Sequence, residues 1–210
     1  MAEVGLLLFA RTALDVARSV LPLYRTRFSK HQLTQPQLLA ILCLMRYEDW
    51  TYREAEVRLG EHSELRRVLR LPSVPDCTTV YRFLKRLDDG AIDQALGETV
   101  RRLQGRRHHR RARVAVDATA LTQGALSTFF VRRMHHHTRR PLPWRHWLKW
   151  LVVADLDGHL VLSQQARRGP WNNCAQLPRV VTAPAETTRI GLVLADAEFD
   201  SERNHTYILQ

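Results

Sequence analysis

At 210 residues the chain has room for one large domain or two small ones, and its 45% apolar content is enough for a core. No run of about 18 uncharged apolar residues occurs, which argues against a membrane-spanning helix. The formal net charge of +11 points to polyanionic partners, and Cys43, Cys77 and Cys174 are too scattered for a zinc ribbon or redox motif.

The opening, Met1 to Ala10, has no basic leader, so a cytoplasmic protein is expected. Apolar residues at near-helical spacing from Val4 to Arg27 predict a helix broken by Pro22. Thr34 is placed to cap a second helix reaching about Tyr47, with Pro36 in its first turn and Cys43 in its apolar run. Thr51-Tyr-Arg-Glu54 has the spacing of a capping box, and the helix it opens is expected to stop at Leu59, with Gly60 at C′.

Further on, Pro72 and Pro75 enforce an extended approach to a helix capped by Asp76 or Thr78 and ending at Leu87. Val80, Phe83, Leu84 and Leu87 form its expected buried stripe, leaving Thr79, Arg82, Lys85 and Arg86 outward. A short helix, a turn and a helix with a basic outer face suit a helix-turn-helix; the same pattern suits an ordinary helix pair. A last helix spans Ala91 to Leu103.

The charge is concentrated here. Between Arg101 and Trp150 there are 13 Lys and Arg against a single acid, Asp117, which leaves 19 of the 32 basic and 20 of the 21 acidic residues elsewhere. A focused excess of this kind favours a nucleic-acid backbone through counterion release, although a solvated basic surface has the same composition. The expected organisation is a helical domain over 1–105, a basic linker over 106–113 and an α/β domain over 114–210.

In the last part, Val114 to Val116 reads as a short strand closed by Asp117. Trp147 to Asp155 reads as a second strand, with Asp157-Gly158 turning into a third from His159 to Ala166. A helix follows over Asn173 to Val181, then an apolar strand from Gly191 to Ala195 ends at Asp196. If the first and last of these strands are neighbours, Asp117 and Asp196 converge at one edge of a sheet, where carboxylates with water and phosphate oxygens suit Mg²⁺ or Mn²⁺. Two strand-end aspartates capping unrelated turns would look the same.

Four segments in order resemble the DDE transposases of bacterial insertion sequences. Val193-Leu-Ala-Asp-Ala-Glu-Phe-Asp-Ser-Glu-Arg-Asn-His-Thr-Tyr-Ile208 is similar to that family's second-aspartate block, and Arg113-Val-Ala-Val-Asp-Ala-Thr-Ala-Leu121 to its first. Lys149 in its strand and Arg168-Gly-Pro170 match the run between the two acids, and Val74 to Leu87 resembles the preceding helical domain. The likeness extends over about Gln35 to Gln210.

It implies an RNase H-like mixed sheet, incomplete here, that cuts DNA at transposon ends and joins the freed 3′-hydroxyl to target DNA. Asp117 and Asp196 would then be catalytic metal ligands for two Mg²⁺ or Mn²⁺ ions, in a homo-oligomer acting at the nucleoid. The family's third ligand, a Glu well beyond the second Asp, has no counterpart before Gln210, and Glu198 and Glu202 stand too close behind Asp196 to replace it. Asn172-Asn173 occupies the place where many relatives carry an Asp. The sequence is therefore expected to be the front portion of a transposase, with a non-cleaving protein that competes for transposon ends as the alternative and a basic RNA-binding protein as a more distant one.

Expected backbone contacts are Arg82, Lys85 and Arg86 on the helix, Arg106, Arg107, Arg110 and Arg111 in the linker, and Arg132, Arg133, Arg139, Arg140 and Lys149 beyond it. His135 to His137 suit a phosphate-contacting loop better than zinc, since adjacent histidines diverge on any regular element. Trp144 is a candidate for stacking on a base, while Trp147 and Trp150 suit core packing.

Overall fold

A computed structural model describes residues 5–28, 31–104, 111–121, 148–168 and 171–209. The chain divides into two compact units, Met1–Thr99 and Val100–Gln210.

The first unit is helical. Helix α1 (Leu6–Val20) buries Ala10, Leu14, Val16 and Ala17, and the chain leaves helical geometry at Leu21, just before Pro22. Helix α2 (Gln35–Tyr47) is apolar on nearly every side and runs through the core, burying Leu38, Leu39, Ala40, Ile41, Leu42, Leu44 and Met45. Thr34 caps it as expected. Its box partner, unforeseen, is Gln37, whose Oε1 accepts from the Thr34 amide at 2.8 Å. The Gln37 amide nitrogen also reaches the Leu69 and Arg70 carbonyls at 3.2 and 2.5 Å. That side chain, 6% exposed, thus ties the start of α2 to the end of a later helix.

Helix α3 (Tyr52–Glu61) opens on the Thr51–Glu54 capping box, the Thr51 amide donating to Glu54 Oε2 at 2.7 Å. It does not stop at Leu59: Gly60 lies within it. The chain then bends at His62 into α4 (Ser63–Leu69), a helix the sequence reading lacked. Helix α4 buries Leu65 and Leu69, and Arg70 in the left-handed region (φ 53°) ends it. Apolar burial on the far side of Gly60 holds the turn that the glycine alone would have ended.

Helix α5 (Cys77–Arg86) is capped by Asp76, which accepts from the Thr78 amide at 2.7 Å. Val80 and Phe83 are buried, but Leu84 is 37% exposed and Leu87 half-buried, so the stripe is narrower than expected. Helix α6 (Asp89–Gln104) follows. Leu14, Ile41, Leu44, Leu59, Leu65, Leu69, Val80 and Phe83 belong to one continuous core; Cys43 packs against it, and burial pushes its thiol pKa up.

The second unit is a four-stranded mixed sheet in the order β3-β2-β1-β4, so the chain is α/β as expected. Strand β1 (Ala112–Leu121) pairs antiparallel with β2 (Leu148–Asp155), which pairs antiparallel with β3 (Leu160–Arg168). The β2–β3 turn forms where Asp157-Gly158 predicted it, with His159 at φ 52°. Strand β4 (Ile190–Ala195) lies parallel to β1 on its other side. Ala112 and Arg113, assigned to a linker on sequence, are strand residues, and residues 106–110 lie outside the described residues.

One face of this sheet is covered. Val114, Val116, Leu151 and Val153 alternate onto it and are at most 2% exposed, each contributing about 1.5–3 kcal/mol by burial. Helix α7 (Leu177–Thr187), entered through a 3-10 turn at Cys174–Gln176, packs Leu177, Val180 and Val181 there. Ser163 Oγ donates to the Val180 carbonyl at 2.5 Å. Pro178 sits in the first turn, where no amide partner is lost, and Pro184 is inside the helix. A second 3-10 turn (Ala197–Phe199) and α8 (Glu202–Ile208) follow β4. Among the described residues, no helix is long and apolar enough to cross a membrane.

Candidate active site and nucleic-acid surface

Asp117 does not close its strand; five residues of β1 precede it and four follow. The strand outruns its sequence signal because every residue from Val114 to Leu121 has a partner on β2, Asp117 lying opposite Val152. Tertiary pairing overrides the poor strand propensity of an aspartate. Asp196 does end β4 as expected, and caps the turn after it: its Oδ1 accepts from the Glu198 amide at 2.9 Å.

The parallel register brings the two together. Val114 pairs with Val193, Ala115 with Leu194 and Val116 with Ala195. Asp117 and Asp196 are the next residues of each strand, on strands about 4.8 Å apart. Alternation puts both on the face opposite Val114 and Val116, the face where Arg113, Asp117, Thr119 and Leu121 are exposed. Asp117 Oδ1 accepts from the Ala118 amide at 2.7 Å. Among the described residues no cation pairs with either carboxylate.

Behind them stands a polar cluster that the sequence did not announce. The carboxylate of Glu198 receives Asn173 Nδ2 at 2.6 Å and Lys149 Nζ at 3.5 Å, and Lys149 also donates to the Trp171 carbonyl at 3.2 Å. Lys149, a proposed DNA contact on sequence, is therefore only 15% exposed and alternates with Leu151 and Val153 onto the covered face, away from Asp117. Asn173 is 1% exposed and braces Glu198. Asn204 on α8 donates to the Cys174 and Phe199 carbonyls at 3.0 and 2.8 Å, fastening the turn after Asp196 to the 3-10 turn before α7.

Among the described residues, no third His, Cys, Asp or Glu joins Asp117 and Asp196 closely enough to share an ion. The triplet that does cluster is Glu56, Asp76 and Cys77, in the helical unit, where the Cys77 amide donates to Glu56 Oε2 at 2.9 Å. Burial, then the hydrogen bond to Glu56, raises the Cys77 thiol pKa, the reverse of what a thiolate ligand needs.

At the end of β1 away from Asp117, Arg113 is bound to Asp157 by two hydrogen bonds, at 2.5 and 3.3 Å, and that contact raises its pKa. Arg111 is exposed. On α5, Arg82, Lys85 and Arg86 are exposed as expected; Lys85 lies 4.9 Å over the Tyr81 ring, and its hydrogen bond with Tyr81 raises its pKa. Arg106, Arg107, Arg110, Arg132, Arg133, Arg139, Arg140, His135 to His137, Trp144 and Trp147 lie outside the described residues. Trp150 is half-buried, its Nε1 donating to Gln164 Oε1 at 2.8 Å across the hairpin.

Compared with known protein families, with curated proteins and with solved structures, the chain matches none.

Proposed function

We propose that the chain is a DNA-binding protein of the DDE transposase type, in which the second unit is part of an RNase H-like core. The observation that carries this reading is the parallel β1–β4 register, whose last pair, Val116 and Ala195, stands one residue before Asp117 and Asp196 on their chains. An antiparallel three-strand run with a fourth strand added parallel to β1 supports the same fold.

The two side chains fit Mg²⁺ or Mn²⁺: both are exposed all-oxygen donors, and Mg²⁺ commonly takes one or two carboxylates and fills its shell with water and phosphate oxygens. Asp117 and Asp196 would hold such ions, and the chemistry supplied there would be activation of an attacking hydroxyl and stabilisation of the leaving oxygen of a phosphodiester. Asp117 and Asp196 hold the charge of the site on adjacent strands. Glu198, Asn173 and Lys149 fix the turn that carries Asp196. The basic stretch around Asp117 keeps the DNA backbone close, in a homo-oligomer acting on transposon ends and target DNA at the nucleoid.

Full-length chain incubated with supercoiled plasmid and Mg²⁺ tests the chemistry. Asp117→Ala and Asp196→Ala are expected to bring nicking to background while DNA affinity stays equal or rises, because repulsion of phosphate is removed. Nicking that survives both substitutions would overturn the reading. A second reading is a non-cleaving protein that occupies transposon ends, in keeping with the pair standing without a third acid among the described residues. It predicts salt-sensitive DNA binding with no metal-dependent nicking by the wild type.

A further inference from the structure

The helical unit carries a cleft of about 410 Å³ between the α1–α2 connection and one face of α5. That size lies within the range of roughly 300–1,000 Å³ usual for pockets that hold small molecules. Thr79, Phe83 and Arg86 line it at the i, i+4, i+7 spacing of one helix face, and Tyr24, Arg25 and Gln32 line it from the connection. Phe83 is 5% exposed and Leu38 is 8%, which gives the cleft an apolar floor.

The charge of this cleft is one-sided. Arg25 and Arg86 both border it and no acid does. Both are exposed, and among the described residues neither is paired with a carboxylate. The Arg86 Nε donates to the Arg82 carbonyl at 2.9 Å, which lays its guanidinium along α5. The opposite wall is also held in place. The Gln35 amide donates to the Leu23 carbonyl at 2.9 Å, Gln35 Nε2 to the Pro22 carbonyl at 3.1 Å, and Tyr24 stacks on His31 with ring centroids 4.2 Å apart.

We propose that this cleft binds one nucleotide unit of a DNA strand, its phosphate between Arg25 and Arg86 and its sugar or base over the Phe83 floor. Two guanidinium groups with no competing carboxylate suit a phosphodiester, since each presents paired donors to phosphate oxygens. Thr79 and Gln32 add the neutral donors and acceptors that position a backbone without reading sequence. The cleft would fix the register of α5 on the duplex, a task that the outward residues Arg82 and Lys85 cannot perform from an open helix surface.

The inference rests on the DNA-binding reading, and the test separates the two. Anisotropy of a labelled duplex is titrated with the full chain between about 50 and 200 mM salt, the range over which phosphate contacts dominate affinity. The proteins are wild type, Arg25→Ala, Gln32→Ala and, as a single-charge control on α1, Arg11→Ala. Arg25→Ala is expected to weaken binding about fivefold or more and to reduce the salt slope by about one, the signature of one lost phosphate contact. Gln32→Ala is expected to weaken binding with the slope unchanged, while Arg11→Ala has a smaller effect than Arg25→Ala. All three residues are exposed, so circular dichroism should show the fold intact. Binding by the wild type with Arg25→Ala no worse than Arg11→Ala would overturn the cleft and leave DNA binding standing. No wild-type binding at low salt would overturn both.

Discussion

The two units solve the problem of a buried core differently. In the helical unit every helix up to α5 gives apolar residues to one continuous cluster, and the buried polar Gln37 is spent on tying helix ends together. In the sheet unit α7 covers one face, while the other leaves Leu192 and Leu194 of β4 at 45% and 47% exposed and Leu121 at 48%. The unpartnered buried side-chain atoms among the described residues, Trp171 Nε1, Asn173 Oδ1 and Asn204 Oδ1, also all fall in the sheet unit. Among the described residues, the sheet unit leaves apolar side chains exposed on the face that carries Asp117 and holds unpartnered buried polar atoms in the segments that flank α7 and follow β4. Exposed apolar side chains and unpartnered buried polar atoms are features found where a surface is kept for a partner or for chemistry.

The largest effect should come from breaking each core separately. Leu44 and Leu151 are both fully buried, one in each unit, and truncation to alanine at such sites costs about 2–5 kcal/mol. Hydrogen exchange read by mass spectrometry should show Leu44→Ala loosening α1 to α5 and Leu151→Ala loosening the strands and α7. If Leu44→Ala also stripped protection from the sheet, the units would fold as one and the comparison would fail.

Polar tethers come next. Gln37→Leu removes the donor to the Leu69 and Arg70 carbonyls, and Asn204→Ala the donor to the Cys174 and Phe199 carbonyls. Leaving such acceptors unmet costs about 1–3 kcal/mol each. Denaturant titration should find both losses, but only Asn204→Ala should also raise the Mg²⁺ concentration needed for any nicking, because it frees the turn after Asp196. An equal change in metal requirement for Gln37→Leu would deny that distinction.

What the sequence disclosed divides along the same line. In the helical unit the local signals of Thr34, Thr51, Asp76 and Pro22 each fall at a real helix end. Helix α4 was hidden because Gly60 is a strong stop signal, and what overrides it is the burial of Leu65 and Leu69 against distant residues. Strand β1 was read only from Val114 to Val116, closed by Asp117, because only pairing with β2 carries the strand through that aspartate to Leu121. The adjacency of the two aspartates was legible only as a condition, since register is a property of two segments and no single segment states it. The brace of Lys149, Asn173 and Glu198 was illegible for the same reason: its members come from β2, the entry to α7 and the turn after β4. Helix α8 did carry a local signal, Ser201 accepting from the Asn204 amide at 3.2 Å, that the reading passed over.

A smaller effect is expected from that brace. Glu198→Gln removes the ion pair with Lys149, whose 3.5 Å separation and half-exposed carboxylate limit it to about 1 kcal/mol. Stability should hardly move, whereas Lys149, freed from its carboxylate, should become more reactive to an amine-directed label. Unchanged labelling would mean that the Trp171 carbonyl alone holds the lysine.

The smallest effect is one of pH and belongs to the helical unit. Hydrogen bonds from the backbone and hydroxyl of Thr51 hold the Glu54 carboxyl below its usual range, and those from the Thr78 hydroxyl and backbone do the same for Asp76. A carboxyl whose pKa is lower folded than unfolded favours the native state while ionised. Its contribution is therefore complete above the ordinary carboxylate range, roughly pH 4, and is lost as pH falls from there through the lowered folded values. Both groups are exposed, so each effect is slight, but both lie in the helical unit. Denaturation followed by Trp50, the tryptophan of that unit, should weaken below about pH 4 and stay flat between pH 6 and 8. Glu54→Gln with Asp76→Asn should be less stable at neutral pH and less sensitive to acid. An acid limb that kept its full slope in the double variant would assign the titration to other carboxyls and remove the helix caps as its source.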